Sequence, residues 1–208
     1  MSIFQIDMKN AKLILASSSR HRRAQLEQYG FKVLQMTPSA EETERPGETP
    51  QDRAMRLGIA KAVSVREQLM ESGPTLILGS DQVCHMGGNI YHKPGSPGAA
   101  ARHLANFSGQ WVTFSTSLTA LADDGRRIDT LEEYHLKFRE LSAAEIDEYV
   151  ALDEPYDCAG AIKLEKFGLS LMDDARGRDS TSVYGLPMIS FYEAARALRY
   201  PINNFIKV

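Results

Sequence analysis

Cysteine is scarce in this chain. Cys84 and Cys158 are the only two in 208 residues, and they form no C-x-x-C pair. That argues against a disulfide framework or a cysteine zinc site and suits a reducing cytoplasm. Long apolar runs are missing too, since no window approaches the roughly 18 apolar residues of a membrane span. The stretch from Met1 to Asn10 contains Asp7 and no long apolar run, unlike a signal peptide. No excess of basic charge is present: 24 Lys and Arg stand against 27 Asp and Glu, a net charge of −3. There is therefore no overall basic field for nucleic acid, no basic aromatic-lined stripe and no polybasic tail for a membrane. Any anion must be met by a local cluster of cations. The G-x-x-x-x-G-K-[ST] loop, the dinucleotide-binding glycine fingerprint and the G-x-S-x-G elbow are all absent, so no serine nucleophile is expected. None of the five histidines (His21, His85, His92, His103, His135) pairs at metal-ligand helix spacing. What remains is an ordinary globular composition, 43% apolar and 25% charged, without repeats or linkers. The length suits one domain over residues 1–208.

The stretch that organises the chain is Leu13-Ile14-Leu15-Ala16-Ser17-Ser18-Ser19-Arg20-His21-Arg22-Arg23. Its apolar part predicts a buried strand, and its serines predict a tight turn and a helix N-cap. The helix places Arg22 and Arg23 in its first turn, with Leu26 and Tyr29 facing inward and Gly30 closing it. Two cations in a first turn oppose the helix dipole. A bound phosphate would account for them, because free amides, hydroxyls and guanidinium groups converge there. A plain serine cap followed by a solvated basic turn accounts for them equally well.

Further along, Phe31–Met36 predicts a second strand, and Ser39–Pro50 a loop. Thr49-Pro50 starts a helix running to about Met70, with Met55, Ile59, Ala62 and Leu69 on its buried stripe and Lys61 on the flank. Thr75–Gly79 fits a central strand that delivers Ser80-Asp81-Gln82 at its end. A hairpin turns at Gly87-Gly88-Asn89, and Ser96-Pro97 caps a helix reaching Phe107. Trp111–Ala122 meets the strand from Arg126 across Asp123-Asp124-Gly125, and Ser142 with Glu145 forms a capping box. Cys158–Leu171 runs as a loop into a strand, and a last helix spans Met188–Leu198. Early alternation of strands and helices with hairpins in the middle predicts an α/β fold on a mixed, twisted sheet flanked by helices.

Polar residues at strand ends are where open α/β sheets bind ligands. Asp81 could coordinate a metal or orient and deprotonate a water; it could equally cap the next turn. Glu41 and Glu42 could add an oxygen ligand for magnesium, or form a plain acidic loop. Lys61 and Lys93, with Arg22 and Arg23, supply up to four cations for one polyanion. A nucleoside triphosphate carries about four negative charges, and phosphoryl chemistry rests on positioning and neutralising them.

Taken in order, the segments resemble the Maf-like nucleotide pyrophosphatases. They are the Leu13–Ser19 run with Arg22-Arg23, Glu42-Thr43, Ala60-Lys61-Ala62, Gly79–Val83, Lys93-Pro94 and Ser108-Gly109 with Thr113 and Thr116. Phe138-Arg139 before Leu141-Ser142, Cys158-Ala159-Gly160 and Gly185-Leu186-Pro187 complete the set, which spans about 12–198. The resemblance implies a fold similar to the inosine triphosphatases, often as a homodimer. It implies hydrolysis of a nucleoside triphosphate to the monophosphate and pyrophosphate with Mg²⁺ or Mn²⁺. By motif position Asp81 is the expected base and a metal ligand, and Glu42 a further metal ligand. Ser17, Arg22, Arg23, Lys61 and Lys93 are the expected phosphate contacts. Gln82 and Glu165 are similar to the branch acting on 7-methyl-GTP, with His21 standing where that branch can carry a tryptophan. The alternatives are a dTTP, UTP or CTP pyrophosphatase and a nucleotide-binding regulator of cell division with little turnover.

Overall fold

The computed structural model describes residues 10–70 and 73–206. The expectation for the N-terminal stretch falls, over residues 1–9, outside them. The elements in order are β1 (Lys12–Ala16), α1 (Arg20–Gln28), β2 (Leu34–Met36), α2 (Pro50–Gln68), β3 (Thr75–Gly79), β4 (Gln82–Met86) and β5 (Asn89–Ile90). They continue with α3 (Pro97–Phe107), β6 (Trp111–Ala122), β7 (Arg127–Phe138), α4 (Ala143–Asp153), β8 (Met172–Arg176) and α5 (Met188–Ala197). Short 3₁₀ turns occupy Ala159–Ala161, Phe167–Leu171, Ser180–Tyr184 and Ile202–Phe205.

The helix ends follow the local chemistry. Thr49 Oγ1 accepts from Asp52 N at 3.0 Å to cap α2, with Pro50 at its first position. Ser142 and Glu145 close a reciprocal capping box on α4. That bonding, with Arg139 beside it, pulls the Glu145 carboxyl down to about 2. Helix α5 has no cap of its own at Pro187. Buried Asp179 and its neighbour Thr181 do that work from a distance, accepting from Ile189 N at 2.7 Å and Met188 N at 2.8 Å.

The eight strands form one mixed sheet, with β6 as its spine. β2, β1 and β3 lie parallel, because α1 and α2 carry the chain back across the sheet between them. All pairings through β6 are antiparallel. One edge of β6 pairs with β7 along its length, and the other pairs first with β4 (residues 113–116) and then with β3 (residues 119–122). β3 and β4 are thus one line interrupted at Ser80-Asp81. The interruption is stapled: Asp81 N donates to Ser117 Oγ at 3.0 Å, and Ser117 N to Asp81 O at 2.9 Å.

Strand alternation divides the core. Leu13, Leu15, Leu76 and Leu78 meet Leu26 of α1 and Phe191 of α5 on one face. Ile14, Ala16 and Ile77 meet Ala62 and Val65 of α2 on the other. Beyond the interruption a separate cluster joins Cys84, Phe114 and Phe138 to Leu104 and Phe107 of α3 and Ile146 of α4. The junction between these cores is open, and Asp81 stands at it.

Helix α2 differs from the expected register. Its buried residues are Ala54, Leu57, Gly58, Lys61, Ala62, Ser64 and Val65, and of the expected stripe only Ala62 is among them. The small residues Ala54, Gly58 and Ala62 let the helix lie directly against the sheet. A Cβ on Gly79 would stand 2.2 Å from Gly58 O and 2.8 Å from Ala62 Cβ. Tyr29, expected to face inward, is 44% exposed. Gly79→Ala should therefore push α2 off β3 and cost about 1–3 kcal/mol. Urea denaturation checks this, and a change of less than about 0.5 kcal/mol, the range of an ordinary surface substitution, would contradict the packing.

Candidate active site

A cleft of about 1020 Å³ opens at the junction of the cores. One end is built from the turn between β1 and α1. Ser17 is buried there, and its Oγ accepts from Ser19 N at 3.1 Å and from an Arg22 guanidinium nitrogen at 3.3 Å. Ser19 caps α1 by accepting from Arg22 N. Gln35 on β2 clamps the turn by donating to Ser17 O at 2.7 Å and Ser19 O at 3.2 Å. Arg22 points inward, with Nε donating to Gly185 O at 2.9 Å. Burial pulls its pKa down, opposed by the negative charges of Asp81 and Glu42.

Arg23 does not join it. Its Nε sits 3.0 Å from Glu27 Oε1, one helical turn on, and it does not line the cleft. Successive helix residues diverge by about 100°, and here that turn carries Arg23 to Glu27 while Arg22 faces the cleft. The expected phosphate set is thus reduced to Ser17, Arg22, Lys61 and Lys93, all of which line the cleft.

Lys61 is the most constrained of these. It lies on the buried face of α2, not on its flank, and is only 6% exposed. A buried ammonium requires compensation, and it has two partners. Its Nζ is 2.7 Å from Asp81 Oδ1 and 2.8 Å from Glu42 Oε1. Burial acts to raise the Glu42 pKa, but the bond and charge of Lys61, with Arg22 and Lys93 adding, hold it below the ordinary carboxylate value. Arg53, which no motif marks in the sequence, lies two turns before Lys61 on the same cleft wall. It donates to Glu42 O at 3.0 Å and fixes the loop that carries Glu42. Its position eight residues before Lys61 was the available signal.

The other end of the cleft carries two carboxylates, Asp157 and Glu165, set among cations. His21 Nε2 lies 3.3 Å from Asp157 Oδ2, and its Nδ1 3.3 Å from Glu165 Oε1. Arg20 also reaches Asp157, at 2.8 Å. Burial acts to raise the Asp157 pKa, but His21, Lys163 and Arg20 together hold it at about 2. Lys163 is buried and donates to Asp153 O at 2.9 Å and Glu154 O at 3.0 Å, the carbonyl end of α4. Asp157 and Lys163 have no local signature, and their roles emerge only where the loop after α4 meets α1. Gly160 fixes this loop at φ +68°, where a Cβ would stand 2.5 Å from Cys84 Sγ.

Gln82 departs from its expected part. Its amide nitrogen is spent on structure, donating to Thr116 Oγ1 at 3.1 Å, Ser182 O at 2.9 Å and Val183 O at 3.0 Å. It still lines the cleft, and its amide oxygen is the group left to meet a ligand.

The family model described as "Maf-like protein" matches residues 12–198. A protein of Burkholderia lata named 7-methyl-GTP pyrophosphatase is 39% identical over 92% of this chain and 91% of its own. One of Bordetella parapertussis with the same name is 41% identical over 86% of this chain and 88% of its own. Among solved structures, a nucleoside-triphosphatase / dITP/XTP pyrophosphatase from Mycobacterium abscessus overlaps distantly, at TM-score 0.41 and 16% identity over 90% of this chain and 96% of that one. Among the described residues no helix is long and apolar enough to cross a membrane. With a family match over nearly its whole length and relatives near 40% identity, the chain belongs to the Maf-like family.

Proposed function

We propose that the protein hydrolyses a nucleoside triphosphate to the monophosphate and pyrophosphate, with 7-methyl-GTP as its preferred substrate. The observation that carries the reading is Asp81 held 2.7 Å from buried Lys61, in a cleft shared with Arg22 and Lys93. A site for binding polyphosphate alone gains nothing from a carboxylate beside the cations. A site for hydrolysis needs one to take a proton from water. The phosphates lie against the Ser17–Ser19 turn and Arg22. Asp81 accepts the proton as the water oxygen bonds to the α-phosphorus and the α–β bridging bond breaks. Lys61 and Lys93 neutralise the charge that builds on the departing pyrophosphate.

Glu42 and Asp81 also suit Mg²⁺ or Mn²⁺. They are hard oxygen donors whose carboxylates already converge on one cation, the Lys61 ammonium, at 2.8 and 2.7 Å. When bound, such an ion supplies further neutralisation of phosphate charge. Asp81→Asn should still fold, less stably because Lys61 keeps only Glu42 as a charged partner, and bind nucleotide, yet lose roughly 10²–10⁴ in turnover, the usual worth of a positioned base. Turnover within a few-fold of the unaltered protein would refute the assignment, as would undiminished hydrolysis in excess EDTA for the metal.

The base preference rests on the charge division of the cleft and on the names of the relatives. Methylation at N7 gives guanine a fixed positive charge, which the Glu165 and Asp157 end suits better than the phosphate end does. His21, between the Asp157 and Glu165 carboxylates on the cleft wall, can stack on the base when its ring is neutral. A pyrophosphate-release assay over a nucleotide panel should rank 7-methyl-GTP above GTP, dTTP, UTP and CTP. Glu165→Gln should narrow that gap by about 1–3 kcal/mol, the scale of one specific contact. A pyrimidine nucleotide as best substrate would overturn the base preference and leave the hydrolysis standing.

The same proposal includes a cytoplasmic homodimer of single-domain chains. It is supported by the two free cysteines, by the sheet common to all three apolar clusters, and by exposed Leu152, Phe167 and Leu169 on α4 and the neighbouring 3₁₀ turn.

A further inference from the structure

The carboxylate end of the cleft carries a donor set unlike that of the phosphate end. His21, Asp157 and Cys158 each place a ligating atom so that all three lie within 4.8 Å of one another. Behind them Glu165 Oε1 stands 3.3 Å from His21 Nδ1. That is the carboxylate–histidine arrangement that fixes the tautomer of a metal-bound imidazole.

The imidazole faces two carboxylates, Glu165 at Nδ1 and Asp157 at Nε2. If Nδ1–H is given to Glu165, the Nε2 lone pair faces Asp157 Oδ2 at 3.3 Å, acceptor against acceptor. A proton or a metal ion between them satisfies both, and Cys158 Sγ, 3.6 Å from Asp157 Oδ1, adds a third donor that favours the metal ion. We propose that His21, Asp157 and Cys158 bind one thiophilic divalent cation of the zinc class, supported by Glu165, and that the bound ion closes the base end of the cleft.

The donor types select the ion. Nitrogen, carboxylate and thiolate together suit Zn²⁺, Cd²⁺ or Co²⁺ and not Mg²⁺. Bond lengths of about 2.0–2.3 Å put tetrahedral ligands roughly 3–4 Å apart, so side-chain rotations of roughly 1 Å complete the set. Burial raises the Cys158 thiol to about 12, with Asp157 and Glu165 acting the same way. Binding therefore releases that proton to solvent, and the resulting thiolate and Asp157 balance the charge of the ion. Two cations compete for Asp157. Arg20 is 76% exposed and free to swing away. Lys163 stays on the α4 carbonyls, with Nζ 3.6 Å from Asp157 Oδ1. His21 lies 136 residues from the adjacent pair Asp157-Cys158, so no spacing motif marks the set.

Binding is read without nucleotide, so it does not depend on the proposed substrate; only the closing of the cleft rests on the pyrophosphatase reading. One equivalent of Co²⁺ added to the reduced full chain should give a thiolate-to-cobalt absorption band in the near ultraviolet. Cys158→Ser should abolish the band. Asp157→Asn should retain it with at least tenfold weaker binding. In the unaltered protein Zn²⁺ should slow alkylation of Cys158 at least tenfold, a measurement that needs no variant, Cys84 being fully buried. No band, a band that survives Cys158→Ser, or alkylation unaffected by Zn²⁺ would overturn the site. With Mg²⁺ in excess, Zn²⁺ should raise KM for nucleotide; a band without that competition would overturn the closing of the cleft alone.

Discussion

A buried ammonium between two carboxylates holds this structure's chemistry together. Lys61 comes from α2, Asp81 from the break between β3 and β4, and Glu42 from the loop before α2. Arg53 ties the Glu42 loop to α2 and close packing ties α2 to β3, and Lys61 joins the three through charge. Leaving one buried partner alone costs about 3–5 kcal/mol, so each of Lys61 and Asp81 requires the other. The Glu42 arm is worth less, because that carboxylate is over half exposed and screened. The close packing of Gly58 and Ala62 on Gly79 brings α2 near enough for the contact, and the Ser117 staple keeps Asp81 from following β3 into the sheet. Packing thus sets the electrostatics, with the backbone contact of α2 on β3 as the fixed reference.

From that contact the cleft divides by charge. Toward β1 it presents hydroxyls, amides, Arg22 and Lys93; toward α4 it presents Asp157, Glu165 and the thiol of Cys158. The proposed substrate, with a polyanionic tail and an electron-poor head, would engage both ends at once. The same division makes the far end receptive to a soft cation when no nucleotide is there. One surface with two kinds of occupant follows from placing a histidine between carboxylates at the edge of a phosphate site.

Much of this was legible in the sequence where the cause is local. The serine turn, the Thr49-Pro50 and Ser96-Pro97 helix starts, the Ser142–Glu145 box and the central strand before Asp81 each depend on neighbours within a few residues, and each stands where expected. The α2 stripe was not legible, because periodicity weighted by hydrophobicity favours Met55 and Ile59. The real contact face is made of small residues chosen for closeness, and a lysine paired from outside the helix. Arg23 looked equivalent to Arg22 in sequence and is not, since the helix turns it away toward Glu27. Asp157 could not be seen at all: it meets His21 across 136 residues, and only tertiary structure brings them together.

The central claim is that Lys61 and Asp81 act as one unit, and a double-mutant cycle on pyrophosphate release tests it most directly. kcat/KM would be measured for the unaltered protein, Lys61→Ala, Asp81→Asn and the double variant. Groups that act as a unit are strongly non-additive. The account predicts that the double variant is no slower than the slower single one. Losses that multiply in full would show two independent residues and contradict it.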